Sequence, residues 1–230
     1  MAESISQQLA EYGACEISDS LIQMGHPHGG YIPDLESFSP SKPKKICGPA
    51  FTVKMVSQRD KDAPKPAQHF VDASEENSIM VISAPPECKN AIWGGLMTAR
   101  AQARGVKGVV LDGRCRDLAE HREAGFAVYA RGHSTLGQSP FTRPSVLQEP
   151  VTIYARLDST VSTEEAFPAV TVHPGDFVLA DEDGVVVVPQ KDTEEVIQRC
   201  KRNREVDARC MADLKQGRSV AETFKEHRGK

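Results

Sequence analysis

The chain has 230 residues, 28 of them Lys or Arg and 32 Asp or Glu, which leaves a net charge of −4. That balance excludes nucleic-acid binding by bulk electrostatics, because phosphate contacts need clustered basic residues. With 39% hydrophobic and 26% charged residues the composition is globular rather than disordered, and at about 150 residues per domain it suits one large domain over residues 1–230. No apolar run approaches the roughly 18 residues of a membrane helix. The opening MAESISQQLAEYGACEISDS carries acids and no apolar core, unlike a secretory signal. A soluble, cytoplasmic protein with no membrane partner is expected. Cys15, Cys47, Cys88, Cys115, Cys200 and Cys210 are widely spaced with no CxxC pair, the pattern of reduced packing or surface thiols.

In chain order, the first twenty-five residues read as helical, with Leu9 and Tyr12 on one spacing and Leu21-Ile22 in a second apolar stretch. His26-Pro27-His28-Gly29-Gly30 breaks that helix, and a Pro- and Lys-rich loop runs from Ser39 to Lys45. Gly48 to Val56 reads as a turn and then a strand. Ile79 to Ser83 is a short continuous apolar run of the kind buried on both faces of a parallel sheet. A loop from Ala84 to Trp93 leads into a helix from about Gly95 to Arg104, stopped by Gly105. Val109-Val110-Leu111 is the next strand, Asp112 to Asp117 the next loop, Leu118 to Ala124 the next helix, and Phe126 to Tyr129 a third strand. Strand, helix, strand, helix, strand is the pattern of adjacent parallel βαβ units in an α/β fold. Val151 to Leu157 alternates and Ala169 to Val172 is short. Phe177 to Ala180 turns through Asp183-Gly184, a hairpin signal, into Val185 to Val188. From Asp192 a charged helix carries Val196, Ile197 and Cys200 at helical spacing, then becomes too polar for a core.

Two loops could carry chemistry, since ligands of open α/β sheets bind beyond the carboxyl ends of the strands. Trp93-Gly94-Gly95-Leu96-Met97 opens one helix, and its glycines allow close backbone approach beside unpaired N–H groups that suit an anion. The same glycines equally serve a tight strand-to-helix turn, for the segment is neither GxGxxG nor a P-loop. Asp112-Gly113-Arg114-Cys115-Arg116-Asp117 opens the next helix. Asp117-Leu118-Ala119-Glu120 has the form of a capping box, and Arg116 can pair with Asp112 on the surface. Alternatively, Asp117 can bind a hard divalent cation beside a guanidinium that clamps a carbonyl or enolate oxygen. His26, His28 and Cys15 do not make a four-ligand zinc set. His121 is expected at the surface, Asp181-Glu182-Asp183 in a solvated turn, and His69 and His133 carry no assignment.

The stretch WGGLMTARAQARGVKGVVLDGRCRDLAEHREAGFAVYARG resembles the family of 4-hydroxy-4-methyl-2-oxoglutarate aldolases and the regulator of ribonuclease activity A. Ile17 to Leu21, Gly48 to Val53 and Pro174 to Pro189 fit the same family; Ser134 to Val151 is an insertion-like exception. The resemblance implies a compact β/β/α, swivelling-domain fold around the central βαβαβ unit, assembled as a homotrimer or a dimer of trimers with sites near subunit contacts. It implies that backbone groups of Gly94, Gly95, Leu96 and Met97 hold a pyruvyl carboxylate, that Arg116 contacts the substrate oxygen, and that Asp117 anchors Mg²⁺ or Mn²⁺, with an acid from a neighbouring subunit also expected. One departure is visible: where family aldolases often carry an acid, this chain has Gly95, which removes a carboxylate able to orient water or metal. The implied activity is cleavage of 4-hydroxy-2-oxo acids to pyruvate, with decarboxylation of oxaloacetate through the same enolate. A non-catalytic regulator on the same fold is the alternative, since fold alone does not decide function.

Overall fold

The computed structural model describes residues 2–39, 45–156 and 166–229. Most of the expected loop from Ser39 to Lys45, and Leu157 at the end of an expected strand, lie outside the described residues. The N-terminal segment is two helices, α1 (Ala2–Ala10) and α2 (Ala14–Gln23), separated at Gly13, whose extended backbone starts the second. Two short strands follow, β1 (Tyr31–Ile32) and β2 (Glu36–Ser37), and then the long β3 (Ile46–Ser57). The turn expected at Gly48 is absent, because Ile46 to Pro49 pair antiparallel with a later strand and extend β3 backwards.

The expected parallel unit is present. It consists of β4 (Ile79–Ser83), β5 (Ala91–Trp93), α3 (Gly95–Ala103), β6 (Gly108–Cys115), α4 (Leu118–Ala124) and β7 (Ala127–His133). β3, β4, β6 and β7 are parallel neighbours in that order. The unbroken apolar runs follow from burial on both sides: Met80 and Ile82 enter the core beneath α3 and α4, while Ile79 and Val81 enter a second core inside the curl of the sheet. Two boundaries differ from expectation. β5 forms within the expected Ala84–Trp93 loop, and β6 runs on through a register shift to Cys115, so Asp112 to Cys115 are strand rather than loop.

The remainder is antiparallel. β8 (Thr142–Leu147) pairs with β3, β9 (Val151–Ile153) with β10 (Val170–Val172), and β11 (Phe177–Ala180) with β12 (Val185–Val188) across the expected Asp183-Gly184 turn. β8 lies inside the insertion-like Ser134 to Val151 region and was not anticipated. α5 (Thr193–Lys215) packs on α2 through a third core that includes Leu9, Ile17, Leu21, Val196 and Cys200. Its polar half is held to the same chain: Arg204 donates to Glu16 and stacks 4.5 Å over the Tyr12 ring. α6 (Val220–Arg228) folds back onto α5 with Arg228 against Asp207. None of the described helices is long and apolar enough to cross a membrane.

The sheet curls. Its strand order is β1-β12-β11-β3-β4-β6-β7-β2, so the two outermost strands are consecutive in the chain. From Ile32 to Glu36 an extended segment reaches at most about 14 Å, which brings the opposite margins of the sheet close together. Arg131 on β7 ties this segment down, donating to the Pro33 carbonyl and to Asp34.

Candidate active site

The two loops singled out above leave the ends of adjacent strands. β5 pairs with β6 in parallel, Trp93 stands opposite Cys115, and the Arg116 N–H donates to the Trp93 carbonyl at 3.0 Å. Gly94, one residue beyond β5, caps α3, and Asp117, two residues beyond β6, holds the corresponding position before α4.

Asp117 does not cap its own helix. Its backbone is left-handed (φ 62°, ψ 44°) and its side chain makes no capping bond to α4, a conformation Asp tolerates better than most residues. Its carboxylate instead accepts from the Gly95 N–H at 2.9 Å, the first N–H of α3. The capping-box arrangement expected of Asp117 and Glu120 is therefore replaced by a cap between neighbouring helices. Arg116 is free of Asp112, which is engaged by Arg131. The Arg116 Nε lies 3.4 Å from the Asp117 carboxylate, and the two side chains are 44% and 31% exposed.

The glycine pair is pressed by these side chains. A Cβ on Gly94 would stand 2.6 Å from the Asp117 carboxylate and 3.2 Å from the Arg116 Nε. A Cβ on Gly95 would stand 1.5 Å from the Glu120 carboxylate. The space above Gly95, where the sequence comparison with aldolases suggested a missing acid, thus holds a carboxylate supplied by α4. Of the remaining cradle residues, the Met97 N–H donates back to the Gly94 carbonyl at 3.0 Å, and the Leu96 side chain is 79% exposed.

Beside Arg116 opens a cavity of about 310 Å³, lined by Arg116, Asp117, Leu118, His133, Ser134 and Thr135. Gly137 closes one side of the guanidinium: a Cβ there would come 2.9 Å from an Arg116 terminal nitrogen. The wall from His133 to Gly137 is absent from the sequence reading. Its signal was topological, because it follows β7, the next parallel strand ending on the same edge of the sheet.

Other expectations change. His121, expected at the surface, is fully buried. Its Nδ1 is 2.9 Å from the Thr98 hydroxyl, which also receives the Trp93 indole N–H at 2.9 Å. Burial pushes the His121 pKa down, with the Arg116 backbone and the nearby carboxylates opposing it. Burial also raises the Cys115 thiol to about 12, so this cysteine beside Arg116 is not a thiolate at neutral pH. Asp181 is not in a solvated turn: it is buried and accepts from the Ala14 N–H at the start of α2.

Among the described residues no group of three or more His, Cys, Asp or Glu side chains stands ready for a metal. The donors near the glycines are the hard carboxylates Asp117 and Glu120. Such a set does not suit zinc, but it fits Mg²⁺ or Mn²⁺, which accept one or two carboxylates and take their remaining ligands from water and substrate.

Comparison with known proteins shows what the whole chain is similar to. The Legionella pneumophila protein DlpA is 26% identical over 97% of this chain, which spans only 34% of DlpA. A Halalkalibacterium halodurans protein with the provisional name 4-hydroxy-4-methyl-2-oxoglutarate aldolase is 28% identical over 71% of this chain and 69% of its own length. The crystal structure of an uncharacterised Pseudomonas syringae protein superposes with a TM-score of 0.77 at 26% identity, covering 97% of this chain and 98% of the other. The model of the RraA-like family, Aldolase/RraA, matches residues 14–187, a span that contains the curled sheet, both loops and the cavity, and the chain belongs to that family.

Proposed function

We propose that the chain is a divalent-metal-dependent carbon–carbon lyase that releases pyruvate from 4-hydroxy-2-oxo acids of the 4-hydroxy-4-methyl-2-oxoglutarate type and decarboxylates oxaloacetate. The observation that carries this reading is convergence: the Arg116 guanidinium, the Asp117 carboxylate and the Gly94–Gly95 backbone meet at one edge of the sheet beside an open cavity. A pure interaction surface has no need of a guanidinium and a carboxylate held against paired glycines. The name of the Halalkalibacterium relative supports the same reaction class.

Asp117 would hold the cation, which supplies Lewis acidity toward the 2-oxo group of the substrate. The chain's own residues do the rest. Backbone N–H groups of the segment from Gly94 to Met97, at the start of α3, would orient the substrate carboxylate through those that Asp117 and the Gly94 carbonyl do not already engage. In the aldol substrate the C4 hydroxyl loses its proton, the C3–C4 bond breaks, and its electron pair passes toward the C2 oxygen. In oxaloacetate the bond to the departing CO₂ breaks and delivers its pair to the same place. Arg116 donates hydrogen bonds to the oxygen on which that charge develops, a contact that strengthens as the bond breaks. A proton from water then converts the enolate to pyruvate. The reading includes a homotrimer or dimer of trimers as the working assembly.

The test is pyruvate release from oxaloacetate and from 4-hydroxy-2-oxo acids, before and after EDTA and with Mg²⁺ or Mn²⁺ restored. The reading expects activity that disappears with the chelator and returns with the metal. A folded protein that forms no pyruvate from any of these substrates is instead what a regulator on the same fold would give.

A further inference from the structure

Three polar groups are buried between α3 and α4, where apolar packing would be cheaper. Thr98 and His121 are at most 1% exposed, and Trp93 is 2% exposed. Their hydrogen bonds join all three. The indole N–H can only donate, so the Thr98 oxygen accepts it, and the same hydroxyl meets the His121 Nδ1. The His121 Nε2 is buried and makes no hydrogen bond among the described residues. The one polar contact the ring makes there is therefore the bond from Nδ1 to Thr98.

The chain of bonds closes on itself. His121 donates its backbone N–H to the Asp117 carbonyl, and the Arg116 N–H returns to the Trp93 carbonyl. The ring so formed encloses Gly94 and Gly95 on one side and Arg116 and Asp117 on the other. We propose that Thr98 and His121 are positioning residues, which through Trp93 lock α3 against α4 and thereby set the Asp117–Gly95 contact and the aim of Arg116. This rests on the lyase reading above. Neither side chain needs to touch substrate; sliding one helix by about 1 Å misplaces the whole set, and displacements of that size can cost on the order of 10²-fold in rate.

The experiment compares wild type, Thr98→Val, Thr98→Ser and His121→Phe by steady-state pyruvate release from oxaloacetate with saturating Mg²⁺, above the protein-free rate. Trp93 is the single tryptophan, so its indole ¹H–¹⁵N resonance reports the first bond of the ring without interference. Thr98→Val, which keeps volume and removes the hydroxyl, should lower kcat about tenfold or more with KM within about twofold, in line with losses of about 10–100-fold for supporting partners elsewhere. The indole resonance should shift and exchange faster with solvent. Thr98→Ser should bring kcat to within about threefold of wild type and return the indole resonance toward its position, and His121→Phe should lower kcat while leaving the indole resonance close to its wild-type position. Thr98→Val with kcat within twofold of wild type overturns the proposal, as does a loss that serine fails to rescue. If Thr98→Val does not fold, His121→Phe decides under the same kcat criterion. A wild type without pyruvate-forming activity overturns the lyase reading and the positioning role with it; an active wild type with indifferent variants overturns the positioning role alone.

Discussion

Arg116 separates a catalyst from an ornament by magnitude. An exposed Arg–Asp pair contributes about 0–1 kcal/mol to stability, so loss of a merely structural Arg116 would leave turnover intact. A donor that stabilises developing charge typically costs about 10²–10³ in rate when removed. Arg116→Ala should lower kcat on oxaloacetate by that factor and change KM less, and Arg116→Lys should recover only part of it because a point charge lacks the planar fork. A drop in kcat of less than about threefold for the alanine variant refutes the assignment. The glycines offer a second comparison. Gly94 has an extended φ of −147°, so alanine there is not strained, but its methyl would meet Asp117 and Arg116 together. The methyl of Gly95→Ala would meet chiefly the carboxylate of the exposed Glu120, which can swing away, leaving a tight 3.1 Å contact with the Glu120 Cβ. Gly94→Ala should therefore lose more activity than Gly95→Ala, at similar melting temperatures; the reverse order would mean that Glu120 matters more than Asp117. Gly94, Gly95, Arg116 and Asp117 were legible as neighbours because strand-end loops of a βαβαβ unit share an edge. His121 was not, because a helical residue flanked by Glu120 and Arg122 looks exposed until the facing helix offers it a hydroxyl.

Strands buried on both faces were readable as unbroken apolar runs, and the helices between them by their glycine stops. Short strands were not. β5 has three residues and β2 two, too few for any period to register, and they exist because β6 and β7 present open edges to them. Residues 192 to 228 illustrate another limit. The apolar stripe of α5 at Val196 and Cys200 was readable, but not the surface it docks on, which α2 supplies through Ile17 and Leu21. Leu21 is fully buried, and Leu21→Ala should cost about 2–5 kcal/mol in chemical denaturation. Arg228→Ala removes an exposed ion pair with Asp207 and should cost no more than about 1 kcal/mol. Equal effects from the two would mean that the C-terminal hairpin, not the α2–α5 seam, secures this layer.

At the scale of the molecule, pH is a probe of the half-buried His28 and the buried His121. Burial lowers the pKa of both, so the folded chain takes up protons on them less readily than the unfolded chain. Below an unfolded value of about 6.5 the unfolded chain binds protons that the folded chain refuses, and stability falls as pH drops. Above that value these groups take nothing away. Asp112, whose carboxyl burial raises, acts in the opposite sense at lower pH. The melting temperature should be lower at pH 5.5 than at pH 7.5, and the difference should shrink in His121→Gln; an unchanged difference would show that His121 does not titrate with unfolding. Assembly has its own measurement: light scattering on the 25.1 kDa chain should give about three or six times that mass, and a monomer at micromolar concentration would remove the trimer from the reading. The closure of the sheet by the segment from Tyr31 to Ser37 has a consequence of a different kind. A curled sheet open along two margins would offer two rows of unpaired amides to any other strand, the template from which intermolecular β-association grows. Here both margins are finished by two-residue strands from one short stretch of chain, held by Arg131 through Asp34. A lesion confined to that stretch would uncover β12 and β7 at once, so its phenotype should be loss of solubility rather than loss of catalysis.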